Sequence, residues 1–192
     1  RANQNVRDSE SLMALTLIST HTASASATLD ITSGIDSTYD SYEFHMVNMH
    51  PSTNGMSLRF QVNADGQTGF NEVMTTTAFR VLHFEDDSNT IFAYEPYSDQ
   101  AQTTAYQSLS QGTGIENDQS MSGVLTLYAP SSTTYVKHFT SRTNSLYGGG
   151  ANFSVAYHIA GYINTTAAID EISFKFYAGN IDDGTIKMFG VS

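Results

Sequence analysis

No cysteine and no tryptophan occur in this 192-residue chain, and proline occurs only 3 times. Without Cys there is neither a disulfide framework nor a thiolate zinc site, and redox chemistry does not assign a compartment. Cations are scarce as well: 8 Lys plus Arg stand against 19 Asp plus Glu, for a formal net charge of -11. That balance repels phosphate backbones and offers no basic stripe, so nucleic acid is not an expected partner. No stretch approaches the roughly 20 consecutive apolar residues of a membrane-spanning helix, and no membrane partner is expected. Apolar positions never recur at the helical period over a useful length.

Catalytic signatures are missing too. There is no Gly-x-Ser-x-Gly elbow and no strand-helix alternation of the kind an α/β-hydrolase needs. The six histidines, His21, His45, His50, His83, His138 and His158, stand singly rather than at metal-ligand spacing. Nineteen carboxylates supply chance pairs everywhere, so a glycosidase pair has no specific signal. Glu85-Asp86-Asp87 and Asp182-Asp183 offer hard oxygen ligands, but without the spaced pattern of a calcium loop they read as solvated turns. The chain is therefore read as no enzyme, with no catalytic, metal or cofactor residues assigned.

What the chain does have is a period of two. Tyr42, Phe44 and Met46 alternate with polar neighbours, as do Met56, Leu58, Phe60 and Val62, and the two runs read as a hairpin around His50 to Gly55. Met13 to Ser19 and Ala27 to Thr32 read as strands joined by a link over His21 to Ser26. Val73 to Phe84 and Ile91 to Tyr94 flank the acidic turn. Met121 to Tyr128 and Thr134 to Arg142 form a further pair, and a long strand runs from Phe153 to Ile163. The last hairpin sets Ile172, Phe174 and Phe176 against a returning arm from Thr185 to Val191, with the Gly/Asn/Asp-rich Ala178 to Gly184 as its turn.

Roughly ten strands with short turns predict an all-β, two-sheet antiparallel sandwich, a jelly roll first and a Greek-key sandwich second. Residues 13–192 are assigned to one domain and residues 1–12, polar and without period, to a flexible arm. Pro96 to Gln119, rich in Gln, Ser, Thr and Gly, reads as a long surface loop with one short strand over Ala105 to Leu109. Most of the 11 Tyr and 11 Phe fall in phase with the core. Tyr94, Tyr97 and Tyr106 do not, and with Arg1 and Arg7 of the arm they are the candidate partner-binding residues.

Five strings in order resemble a known family: Met13-Ala-Leu-Thr-Leu-Ile-Ser19, Thr32-Ser-Gly-Ile-Asp-Ser-Thr-Tyr39, Pro130-Ser-Ser-Thr-Thr-Tyr-Val-Lys-His138, Gly161-Tyr-Ile-Asn-Thr-Thr-Ala-Ala-Ile169, and the closing Gly-Thr-Ile-Lys-Met-Phe-Gly run from Gly184. Together they resemble β-rich structural proteins of tailed bacteriophages, especially those of marine and cyanobacterial hosts. The resemblance spans Met13 to Val191. It implies a protein of the virion surface, a capsid decoration or head-fibre protein without enzymatic activity, or else a tail-fibre domain that recognises a host glycan. The partners it implies are the major capsid protein or other virion proteins. Exposed sheet edges add the expectation of a homo-oligomer, a trimer first.

Overall fold

The computed structural model describes residues 15–147 and 152–192, and the arm assigned to residues 1–12 lies outside them. Among the described residues there are thirteen strands and no helix. They are β1 (Leu15–Ser26), β2 (Leu29–Ile31), β3 (Ser41–Pro51), β4 (Leu58–Ala64), β5 (Met74–Phe84), β6 (Thr90–Tyr94) and β7 (Gln100–Thr103). There follow β8 (Gln107–Ser108), β9 (Met121–Tyr128), β10 (Lys137–Leu146), β11 (Phe153–Ile163), β12 (Ile169–Phe176) and β13 (Ile181–Val191). The large sheet runs β1-β13-β3-β9-β10-β11-β5-β6, with β7 also on β5, and the small sheet runs β2-β12-β4-β8.

Eight of these strands make a jelly roll. Along β1, β2, β3, β4, β8, β9, β12 and β13, the first, eighth, third and sixth strands form one sheet and the second, seventh, fourth and fifth the other. The remaining strands are two insertions, β5 to β7 and β10 to β11, and both extend the large sheet beyond β9. Apolar faces of the two sheets meet in one core. Phe44 of β3 sits 5.8 Å from Phe174 of β12, and Phe60 of β4 meets Phe139 of β10 edge-on at 5.0 Å.

The jelly-roll order corrects two expected hairpins. β12 and β13 are not partners: β12 pairs with β2 and β4, whereas β13 pairs with β1 and β3. Likewise β3 and β4 lie in different sheets. A corner between sheets and a hairpin within one both present alternating apolar residues to the same core, so periodicity cannot tell them apart. Here the crossing from β12 is held by Asn180, whose backbone N–H donates to Ser52 Oγ at 2.8 Å and whose side chain donates to the Ala25 carbonyl at 3.1 Å. The expected link over His21 to Ser26 is also strand, because β13 stays paired with β1 as far as Ser26. The pairs β5–β6 and β9–β10 form as expected.

The extended large sheet outruns the four-stranded one, and its inner face needs another cover. Gln107 to Gly114 supplies it, so the surface loop expected over Pro96 to Gln119 is corrected in this part: Gln107 to Ser110 and Gly112 to Gly114 are buried, whereas Pro96, Tyr97, Ala101, Gln102, Thr104, Ala105 and Ile115 to Asp118 are exposed as expected. Irregular buried backbone must find hydrogen-bond partners. Inward-facing polar side chains provide them. Thr143 donates to the Leu109 carbonyl at 2.6 Å and Ser145 to the Gln111 carbonyl at 3.2 Å. Thr76 donates to Gln107 Oε1 at 2.7 Å, while Gln107 donates to the Ser98 carbonyl at 2.8 Å. Arg80 holds Gln111 and pairs with the buried Glu95 carboxylate at 2.8 Å. Gly112 has φ of 57°, and a Cβ there would lie 2.2 Å from the Tyr147 ring, which closes over it.

Two predictions follow from these buried groups. Thr143→Val keeps the shape but orphans the Leu109 carbonyl, and urea unfolding should show a loss of about 1–3 kcal/mol. Thr140→Val, three residues away on the outer face of the same strand, should stay within about 0.5 kcal/mol. The second concerns Tyr157, which is 1% exposed. Burial pushes its phenol up to about 12 from an ordinary 10.0, so between those values the unfolded chain ionises while the folded chain does not. The unfolded state then binds fewer protons, and stability falls as pH rises through that window. Tyr157→Phe should retain most of the stability at pH 7 and show a shallower alkaline decline by about 1 kcal/mol, read by denaturant titration at pH 9 and 11.

Candidate functional site

The inner face of the large sheet is spent on the core; among the described residues no strand or loop covers its outer face. Register alone assembles a row across it. Lys187 pairs with His45, His45 with Val124, Val124 with Arg142, Arg142 with His158, His158 with Phe79 and Phe79 with Tyr94. These residues therefore stand side by side on one face, each from a different strand. One step along the strands is a second row, Glu43–Thr126–Thr140–Ala160–Thr77, whose central members are small. A third row sets His138 beside Tyr162 and Tyr162 beside Thr75.

A row of short side chains between two rows of long ones is a trough. Its floor is Thr126, Thr140, Ala160 and Thr77, and it crosses the sheet perpendicular to the strands. The hollow on the Arg142 side measures about 500 Å³, and the adjoining hollow on the Tyr162 side about 350 Å³. Thr77, Thr140 and Ala160 line both. Four strands at about 4.8 Å spacing give the floor a length near 15–20 Å.

The wall is ordered by ring contacts. Phe79 stacks on His158 with centroids 4.8 Å apart and planes at 5°, and Phe92 lies 5.6 Å from Phe79 on the other side. Toward the far end Glu43 holds His45 at 2.7 Å, with Phe189 4.6 Å from the His45 ring. Hydroxyls of Thr77, Thr126 and Thr140 sit among these rings, with Tyr128 bonded to Thr140 at 3.1 Å. The site thus offers flat apolar surface, hydroxyl donors and acceptors, and charge.

Charge is distributed unevenly. Of the 8 cationic residues, Arg1 and Arg7 lie outside the described ones. Lys137 is buried and donates to the carbonyls of Tyr135 at 2.9 Å and Thr165 at 3.3 Å, and that burial pulls its pKa below the ordinary value. Arg80 is paired with Glu95, Arg59 lies 4.1 Å over the Tyr177 ring, and Lys175 lies 3.9 Å over the Tyr106 ring. Arg142 and Lys187 remain. Among the described residues neither makes an ion pair, and both belong to the row that walls the trough.

The tyrosines singled out in the sequence are not brought together. Tyr94 stands in the trough row beside Phe79 and donates to Asp99 at 2.5 Å. Tyr97 is 96% exposed on the turn beyond β6. Tyr106 lies against the small sheet, where it donates to Ser173 Oγ at 3.1 Å and carries Lys175 on its ring. The acidic turns do not converge on further ligands: among the described residues no three His, Asp or Glu side chains gather to hold a metal ion. Asp86 instead caps Ser88 and Asp87 accepts from His83 at 3.0 Å.

Arg142, His158 and Phe79 were not among the sequence candidates, since the trough depends on registers that no single strand reveals. One signal was present. In β5 the buried Ala78 and Leu82 have one parity, and Phe79 and Val81, 40% and 41% exposed, have the other. No family model, no curated protein and no solved structure matches this chain.

Proposed function

We propose that the chain is a non-enzymatic structural protein of a bacteriophage virion surface, a capsid decoration or head-fibre protein that works as a cyclic homo-oligomer with a trimer favoured. The five strings quoted above point to the virion. The observation that carries the oligomer is the large sheet's pair of edges, β1 and β6, which take no further strand among the described residues and each carry exposed apolar residues. At β1 these are Leu15 and Leu17, 46% and 53% exposed; at the opposite edge Phe92 and Tyr94 are 74% and 54% exposed. Contiguous exposed apolar surface marks association. Two unlike patches at opposite edges suit a head-to-tail contact, and such contacts close into rings. A sandwich held by short turns provides the rigid body that a shell protein requires.

A second role, a receptor-binding appendage that recognises a host glycan, is supported by one specific observation, the trough with its stacked Phe79 and His158. Host attachment would then be read on the outer face of the large sheet and not at Tyr97 or Tyr106.

Light scattering at micromolar concentration should give a trimer for the unaltered chain, and Phe92→Asp or Leu17→Asp should shift it toward monomer without changing the β-sheet spectrum. A monomeric unaltered chain would defeat the oligomer reading. In purified particles, mass spectrometry should find the chain at a copy number comparable with the major capsid protein for decoration, and at far lower copy for an appendage.

A further inference from the structure

We propose that the trough on the large sheet binds an acidic oligosaccharide, with the carboxylate of a sugar ring held by Arg142 and the apolar face of a ring laid on Phe79 and His158. The inference deepens the glycan-recognition reading and rests on it. It does not depend on where in a particle the chain resides.

Three observations converge. The first is orientation. An extended peptide adds to a sheet along an edge, where backbone groups are unpaired; it gains nothing from lying across a face whose backbone bonds are already made. The trough crosses β9, β10, β11 and β5, interior strands with partners on both sides, so its occupant must be recognised by side chains alone. The second is the lining. A ribbon of rings and hydroxyls needs alternating apolar faces and hydrogen-bonding edges, and the trough sets Phe79 and His158 beside the hydroxyls of Thr77, Thr126 and Thr140.

The third is charge. In a chain of net charge -11, the two cationic side chains not engaged elsewhere among the described residues are both in this row, and Arg142 lines the hollow itself. Arginine presents a planar fork that matches a carboxylate on two bonds, which a hydroxyl cannot replace. Glu43, at the β3 end of the same hollow, repels an anion there and leaves Arg142 as the position for the acidic group, with His45 held away by its 2.7 Å contact to Glu43. The acidic body of the protein would exclude polyanions from its other surfaces, so selectivity follows from the same distribution.

The test is calorimetric titration of the whole chain with tetragalacturonate, tetramannuronate and tetraguluronate, against neutral maltotetraose and cellotetraose. At least one acidic tetrasaccharide should bind about tenfold or more tighter than either neutral sugar, with affinity falling as salt rises. Arg142→Gln should remove that preference. Ala160→Phe, which fills the floor, should abolish binding of every sugar, and Lys175→Gln on the small sheet should change nothing. Each variant is checked for an unchanged thermal transition. Preference for neutral sugars, or Arg142→Gln binding as the unaltered chain does, would overturn the acidic assignment while leaving glycan recognition standing. Failure of every sugar to bind would overturn both, and if Ala160→Phe then dissociated the oligomer, a second copy of the chain would be the occupant.

Discussion

A sheet that is wider than its partner leaves backbone to be buried without a ladder, and the hydroxyls facing inward from β10 and β5 answer that constraint. Where the small sheet stops at β8, the chain from Leu109 to Gly114 takes over as filling, and the Leu109 and Gln111 carbonyls are met by Thr143 and Ser145 rather than by another strand. An apolar inner face over the same segment would leave carbonyls in a dry interior, each costing about 1–3 kcal/mol. Polar residues at these inward positions are thus what allows the jelly roll to carry its two insertions.

Those insertions also make the candidate site. In the eight-stranded jelly roll alone, the large sheet would end at β9, and the trough would keep only Thr126 of its floor. Thr140, Ala160 and Thr77 come from β10, β11 and β5. The polar filling beneath and the trough above are two faces of the same strands: Ser141 and Thr143 point inward while Thr140 and Arg142 point outward. Support for the site is therefore held in its own second face.

How much of this was legible in the sequence depends on what periodicity can carry. It carries strand existence and face, so Tyr42, Phe44, Phe60, Val62 and Phe174 are in the core as their alternation requires. It does not carry pairing, and the hairpins expected over β3–β4 and β12–β13 are corners between sheets. Composition misled over Gln107 to Thr113, because Gln, Ser and Thr that satisfy buried backbone have the same letters as those that face water. For the site, Tyr94 was legible as out of phase with the core, and Phe79 had the same mark. Arg142 and His158 were not legible, since only the registers of β9, β10, β11 and β5 bring them together, across separations in sequence of up to about 80 residues.

The pairing of β1 with β13 has a consequence for the order of synthesis. Leu15 meets Val191 and His21 meets Ile186, so a strand made near the start of the described chain has no partner until its last strand has left the ribosome. Throughout that wait β1 is an unprotected edge, the kind of segment that recruits other chains. Its composition answers the hazard. After Leu15, Leu17 and Ile18, the strand reads Ser-Thr-His-Thr-Ala-Ser-Ala-Ser, β-compatible yet too polar to form a dry zipper with a copy of itself. Folding dominated by such distant pairings is slow, and the mild character of β1 is what makes slowness tolerable.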